Sequence, residues 1–320
     1  MTVTRVSDLS QSQMLIAELT RANQAEAQTE LQVSSGKKAQ VFADIAHQTD
    51  VLFSAKQVLD RNTHYTQTTT ELSQRLDTQG TALNDLGTAA SNLTQNVTDA
   101  LANGSGLSLM NQINAVFQEA ASALNSQVNG QYIFGGTRVD TPPVNIGNIN
   151  GLVIGTPPAQ TTVPIASIFD NNNQTQSAVV NDGITVSYGM TASSLGTQLM
   201  TAIQTIKQFN DTNVDGPLGQ NLTPAQTAFL ASQIANLQQI ATDITTQTAQ
   251  NGIVQRQVDA VSKQLASTKI QATQFVSDIE DADLPTALSQ LQQDQLQLQA
   301  SARMAANIGQ MSLLNFLPVG

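Results

Sequence analysis

Cysteine and tryptophan are absent from the 320-residue chain, histidine occurs only twice, and aromatic residues make up 4%. Without cysteine there is no disulfide framework, no zinc ribbon and no thiol nucleophile. Two histidines leave little scope for imidazole chemistry. So few aromatics mean that Leu, Ile, Val and Ala must do the packing. Charge is scarce as well: Asp, Glu, Lys and Arg reach 12%, about half the usual share. The cations are the scarcer sign, 13 Lys+Arg against 24 Asp+Glu, for a net charge of −11. That balance argues against binding a nucleic-acid backbone. No stretch approaches the roughly 20 apolar residues of a membrane span, so no membrane insertion is expected. The opening segment, Met1 to Thr20, lacks the apolar core of a secretory signal. The chain is therefore expected to stay in the cytoplasm or to leave by a route without a cleaved signal.

Proline is missing between Val3 and Pro142, and this region carries the dominant pattern. Val51, Val58, Tyr65, Leu72, Gln79, Leu86 and Leu93 recur every seven residues. Ala55, Asn62, Thr69, Leu76, Leu83, Ala90 and Val97 interleave with them. The two series predict one helix over about 51–97, roughly 70 Å long at 1.5 Å per residue. Downstream, Leu230, Ile234, Leu237, Ala241 and Ile244 lead into Val254, Val258, Val261, Leu265, Thr268, Ala272, Phe275 and Ile279. Stripes of this length need cover, so the two arms are expected to pack antiparallel as a rod. Asn62, Thr69 and Gln79 interrupt the first stripe, and polar seam residues restrict register at a cost in stability.

An N-terminal helix is traced by Val6, Leu9, Gln13, Ile16, Leu19 or Thr20, Asn23, Ala27 and Glu30 or Leu31, ending at Ser34-Ser35-Gly36. A last helix follows Asp283, a potential N-cap, with Pro285 in its first turn. Gly104-Ser105-Gly106 breaks the long helix, and a shorter one is expected over about 107–128. From about Asn129 to Gly189, Pro, Gly and Asn accumulate among short β-branched runs, at Gly151–Ile154, Val163–Ile165, Ala178–Val180 and Ile184–Tyr188. Asn181-Asp182-Gly183 reads as a hairpin turn. The predicted fold is mostly α, a long antiparallel coiled-coil-like rod built from both termini with a small β-rich insert. The expected division is 1–35 and 284–320 as terminal helices, 36–139 and 190–283 as rod, and 140–189 as an outer insert that tolerates deletion.

Chemical motifs are weak. His47 and His64 lie about 25 Å apart along a helix and cannot share a metal. Asp278, Glu280, Asp281 and Asp283 lack the glycine and alternating ligands of a calcium loop. Gly135-Gly136-Thr137 has no strand-then-helix context for a dinucleotide, and no nucleophile elbow occurs. The chain is expected to be no enzyme and to use no cofactor or metal.

Five segments carry a resemblance. Leu31-Gln32-Val33-Ser34-Ser35-Gly36-Lys37-Lys38, Asn129-Gly130-Gln131-Tyr132-Ile133-Phe134-Gly135-Gly136-Thr137, Asn251-Gly252-Ile253-Val254-Gln255-Arg256-Gln257, Asp278-Ile279-Glu280-Asp281-Ala282-Asp283-Leu284, and Gln299-Ala300-Ser301 with the end Met311-Ser312-Leu313-Leu314-Asn315-Phe316-Leu317 resemble, in order and spacing, motifs of the bacterial flagellin family. The likeness spans both arms, about two-thirds of the chain. The last segment and Gln131–Thr137 are more similar to hook-associated junction subunits than to filament flagellins. Phe42–His47 departs from the family, which has an acidic pair after this break. The resemblance implies a structural, self-assembling subunit outside the cell, exported unfolded through the flagellar type III apparatus with the help of a chaperone. Its partners would be copies of itself and neighbouring hook-associated or flagellin subunits. Self-assembly is expected to use Val6, Leu9, Ile16, Leu19, Leu31, Leu291, Leu298, Ile308, Leu313, Leu314, Phe316 and Leu317. A filament flagellin is the alternative within the family. A cytoplasmic coiled-coil adaptor is the alternative from another class.

Overall fold

Six helices carry the chain in a computed structural model that describes residues 3–41 and 46–314. They are α1 (Val3–Ser35), α2 (Thr49–Asn103), α3 (Leu109–Leu124), α4 (Ala192–Thr212), α5 (Pro224–Glu280) and α6 (Leu284–Leu314). Three short antiparallel ladders lie between α3 and α4. They pair β1 (Gln127–Val128) with β2 (Gln131–Tyr132), β3 (Val153–Ile154) with β4 (Thr161–Thr162), and β5 (Ser177–Asn181) with β6 (Ile184–Ser187). The mostly α fold with a small β component is the one the heptads predict, and the second arm is one helix of 57 residues. Among the described residues, no helix is long and apolar enough to cross a membrane.

The helices end where the sequence offers left-handed glycines. Gly36 stands at φ 68 after α1 and Gly104 at φ 62 after α2, a conformation glycine adopts without a Cβ clash. Asn181-Asp182-Gly183 does form the turn between β5 and β6, with Gly183 at φ 74. Val163–Ile165 is not a strand. Pro164 cannot donate to a ladder, and it caps a 3₁₀ turn over Ile165–Ile168 instead.

The chain divides into two compact units: residues 62–267 form one, and residues 1–61 with 268–320 form the other. Within the first, α2 and α5 run antiparallel. Asn62 Nδ2 donates to the Leu265 carbonyl at 2.9 Å, and Asn251 Nδ2 donates to the Leu76 carbonyl at 3.0 Å. The interhelical contacts thus descend α5 as they climb α2. Gly80 makes the second contact possible, because a Cβ there would stand 3.2 Å from Asn251 Nδ2. The predicted stripe is buried at Leu72, Leu76, Leu83, Leu86, Ala90, Leu93 and Val97. It does not run true to the ends: Leu52 is buried and Val51 exposed, and Phe275 is exposed where the stripe expects a seam residue. A strict seven-residue repeat drifts around a 3.6-residue helix, so extrapolation slips by one position.

The segment expected as an outer insert is not peripheral in this unit. Val144, Ile149, Leu152 and Ile168 are buried in one core with Phe117, Leu124, Leu199 and Ile203 of α3 and α4. Val180 and Val186 of the β5–β6 hairpin share a second core with Leu72, Leu76, Val258, Val261 and Leu265. Gln204 Nε2 donates to the carbonyls of Leu152 (2.8 Å) and Val163 (2.7 Å), tying loop backbone to α4. Gly196 lets α4 meet α3, since a Cβ there would fall 2.6 Å from Leu124 Cδ1.

Gln131–Thr137 is the hub of this unit. Ile133 and Phe134 are fully buried. The Phe134 carbonyl accepts from Ala192 N–H (2.9 Å), and the Ile133 carbonyl accepts from Arg75 Nη2 (3.2 Å). A Cβ on Gly135 would lie 2.0 Å from the Arg138 carbonyl oxygen, so the backbone closes there only on glycine. Arg75 also stacks over the Tyr188 ring at 5.4 Å. Burial holds its guanidinium below the ordinary arginine range, an effect that neighbouring Tyr188 opposes.

Candidate assembly surface

Helix α6 carries only two charges in 31 residues, Asp294 and Arg303. Asp294 is buried, so its described surface is Gln, Ser, Ala and Leu with one guanidinium. A helix of this composition carries almost no charge to favour water, and its leucines and alanines gain from cover.

Part of that cover is α1. The two helices pack against each other. The α1 residues withdrawn from solvent are Leu15, Leu19, Ala22, Glu26, Thr29 and Val33; on α6 they are Ala287, Leu291, Asp294, Leu298, Ser301 and Ala305. Both sets alternate by three and four, the spacing of a helix–helix seam. Thr29 Oγ1 donates to Asp294 Oδ2 at 2.8 Å in the buried middle, and Gln290 Nε2 donates to Asp294 Oδ1 at 2.9 Å. The carboxylate is thereby satisfied where it would otherwise be costly to bury.

An ionic node closes this helix pair where α5 passes into α6. Lys37 Nζ lies 2.7 Å from Asp281 Oδ1 and 3.2 Å from Glu280 Oε2, and Lys56 pairs with the same Glu280. Backbone bonds join the strands of the node: Lys38 N–H to the Glu280 carbonyl (2.7 Å) and Ala282 N–H to the Gly36 carbonyl (2.8 Å). Hydrogen bonding to Lys56, and then to Lys37, holds the Glu280 carboxyl below the ordinary carboxylate range against the opposing effect of burial. Lys37, aided by the Ser277 hydroxyl, does the same for Asp281. Asp281 in turn raises the Lys37 ammonium. Asp283 stands at the N-cap of α6, its carboxylate accepting from the Thr286 hydroxyl at 2.8 Å.

The expected assembly residues separate into three groups. Leu19, Leu291 and Leu298 are half-buried at positions of the α1–α6 seam, while Ile16 and Leu31 are exposed, Ile16 at 65%. Val6, Leu9, Ile308, Leu313 and Leu314 lie on α1 and α6, at positions whose side chains are not described. Phe316 and Leu317 lie outside the described residues. The face drawn through Ile16, Asn23 and Ala27 is not the one that α6 covers, for all three are exposed. The seam runs through Leu15, Ala22 and Thr29, because the partner α6 rather than α1's own apolar content selects the buried side. Sequence reasoning missed Met14, Leu284, Leu288, Leu296 and Met304, all exposed apolar residues. By helical spacing they fall on the flanks and backs of the two seams rather than in one patch. The signal that could have found them is the near absence of charge around α6.

Among the described residues, no group of three or more His, Cys, Asp or Glu could hold a metal ion.

Residues 234–317 match the model of the bacterial flagellin C-terminal helical region. No curated protein matches the chain significantly. A protein described as a flagellar hook-associated protein, from Vibrio parahaemolyticus, has a solved structure similar over 74% of this chain and 100% of that one. Its TM-score is 0.58 at 16% identity. The crystal structure of Bacillus cereus FlgL is similar over 71% of this chain and 99% of its own, with a TM-score of 0.53 at 11% identity. At such identities the likeness is one of fold.

Proposed function

We infer that this chain, a member of the bacterial flagellin family by its C-terminal arm, is a structural subunit of the flagellum that joins hook to filament. The observation that carries the assembly role is the α1–α6 pair. Its seam is closed over the described 15–33 and 287–305, yet Met14, Ile16, Leu31, Leu288, Leu296 and Met304 remain exposed on several sides of it, and α6 offers almost no charge to water. Exposed apolar side chains scattered over several sides of the pair, rather than gathered in one patch, suit a position among several neighbours rather than a single docking face. Copies of this chain and adjoining hook-associated or flagellin subunits are the partners of that chemistry. The folds of the Vibrio and Bacillus proteins, together with the Gln131–Thr137 and Met311–Leu317 segments, favour the junction over the filament. Export without a cleaved signal, with a chaperone covering the terminal helices, follows from that assignment, as does a purely structural role without catalysis.

Removing residues 284–320 tests the assembly role. The shortened chain is expected to keep a folded 62–267 unit, seen as a cooperative thermal transition, and to be absent from purified flagella. A shortened chain that still assembles would overturn it. Gold-labelled antibody on intact flagella tests the location: a short ring at the hook tip supports the junction, whereas labelling along the whole filament supports a flagellin.

A further inference from the structure

Besides buried Asn62 and Thr69, the α2–α5 seam in the 62–267 unit holds a polar layer, Gln79 with Asn251, that separates two apolar cores. Above it lies the core that includes Leu83, Leu86, Ile240 and Ile244; below it lies the core of Leu72, Leu76, Val258 and Val261. Between them Gln79 and Asn251 are 1% and 2% exposed. Gln79 Nε2 and Asn251 Oδ1, a donor and an acceptor, have no hydrogen-bond partner. Buried amide atoms are rarely left so. Both residues line a cavity of about 700 Å³ that reaches to the end of β6 and the start of α4. The volume falls within the range of small-molecule sites, about 300–1,000 Å³.

The lining limits the ligand. No Asp, Glu, Lys, Arg or His contributes to it; amides such as Gln79, Gln250 and Asn251 and hydroxyls such as Thr175 and Ser187 do, with Tyr188 as an aromatic wall. An ionic ligand would enter without a counter-charge, at a high desolvation cost. A purely apolar ligand would strand the amides and hydroxyls. Neutral groups that both donate and accept, set on a ring with apolar C–H faces, answer both requirements. We propose that this cavity binds a neutral saccharide of one or two rings. Its polar rim meets the sugar hydroxyls, and Tyr188 meets a C–H face. The inference stands on the 62–267 unit alone and does not depend on where the chain assembles.

The test is titration of the full-length chain with methyl α-glucoside, methyl β-galactoside, N-acetylglucosamine, maltose and lactose. It is followed by saturation-transfer NMR and calorimetry, with gluconate and glucosamine as charged comparisons. At least one neutral sugar is expected to bind with a dissociation constant of about 1 mM or below, and the charged compounds roughly tenfold more weakly, about 1.4 kcal/mol. Gln250→Ala and Thr175→Val alter exposed positions, so they are expected to leave the circular dichroism unchanged while weakening the bound sugar about tenfold. The proposal is overturned if no neutral sugar saturates the chain by about 50 mM, if the charged compounds bind equally well, or if binding survives both substitutions.

Discussion

Replacing Phe134 with alanine should destabilise the 62–267 unit more than any other single truncation in the Gln131–Thr137 segment. Its ring is 1% exposed and belongs to the core shared by α2, α3, α4 and α5. The substitution leaves the Phe134 carbonyl, and its bond from Ala192 N–H, in place. The loss is therefore that of the ring: its transfer out of water plus the cavity left behind. Phe→Ala changes of this kind cost about 3–5 kcal/mol. For a unit of roughly 150–250 residues each kcal/mol lowers the midpoint by about 2–4 °C, so a fall of roughly 6–20 °C is expected. Thermal unfolding followed at 222 nm, with urea titration for the free energy, measures it. Val214→Ala, at a position 97% exposed, is the control and should stay within about 0.5 kcal/mol. A Phe134→Ala cost below about 1 kcal/mol would refute the reading of this segment as the hub.

Deleting Pro142–Tyr188 removes Leu152, Ile168, Val180 and Val186 from two cores. It should therefore be more damaging than Phe134→Ala, abolishing the cooperative transition; a deletion variant that unfolds cooperatively would restore the segment to the periphery. Thr29→Val strips Asp294 of one of its two hydrogen bonds in the α1–α6 seam and should cost about 1–3 kcal/mol, read as faster hydrogen exchange along α6. The ionic node gives a pH dependence of fixed sign. The lowered carboxyls of Glu280 and Asp281 stabilise above their unfolded values, near about 4, and that contribution is lost as pH falls through their folded values. The raised Lys37 stabilises below its ordinary value of 10.5 and loses that contribution as pH climbs through its folded value. Lys37→Ala should remove the alkaline limb and weaken the acid one, which keeps the part Lys56 gives Glu280, in limited proteolysis at the Gly36–Lys37 break; an alkaline limb that persists would place the titration elsewhere.

Much of the long-helix architecture was legible because its signal is local. Leu72 to Val97 repeats by three and four with no proline, and any partner able to cover that stripe must follow it. Gly36, Gly104 and Gly183 likewise announce breaks through backbone freedom alone. What was not legible depends on the partner. The α1 seam passes through Leu15, Ala22 and Thr29, not through Ile16, Asn23 and Ala27, because α6 decides which side is buried. The central segment hid its core because its apolar residues arrive in ones, twos and threes, as at Val144, Leu152–Ile154, Ile168-Phe169 and Val186, among Pro, Gly and Asn. Only their convergence in space makes a core. Asp294 and Arg75 escaped for a related reason: a lone charge in a sequence reads as solvated until the structure supplies Thr29 or Tyr188 beside it. The assembly residues Leu19, Leu291 and Leu298 were chosen for their apolar character, which cannot distinguish a seam within the chain from a contact between chains.

A single cysteine at Leu296 tests the assembly claim most directly, because the chain has none of its own and this side chain is 66% exposed. The measurement is the rate of alkylation by a small maleimide, first on the free subunit and then on purified flagella that contain it. The account predicts rapid labelling of the free chain and protection by about a hundredfold or more in the assembly, equivalent to at least about 2.7 kcal/mol. Equal labelling in the two states, with the chain present in flagella, would contradict it.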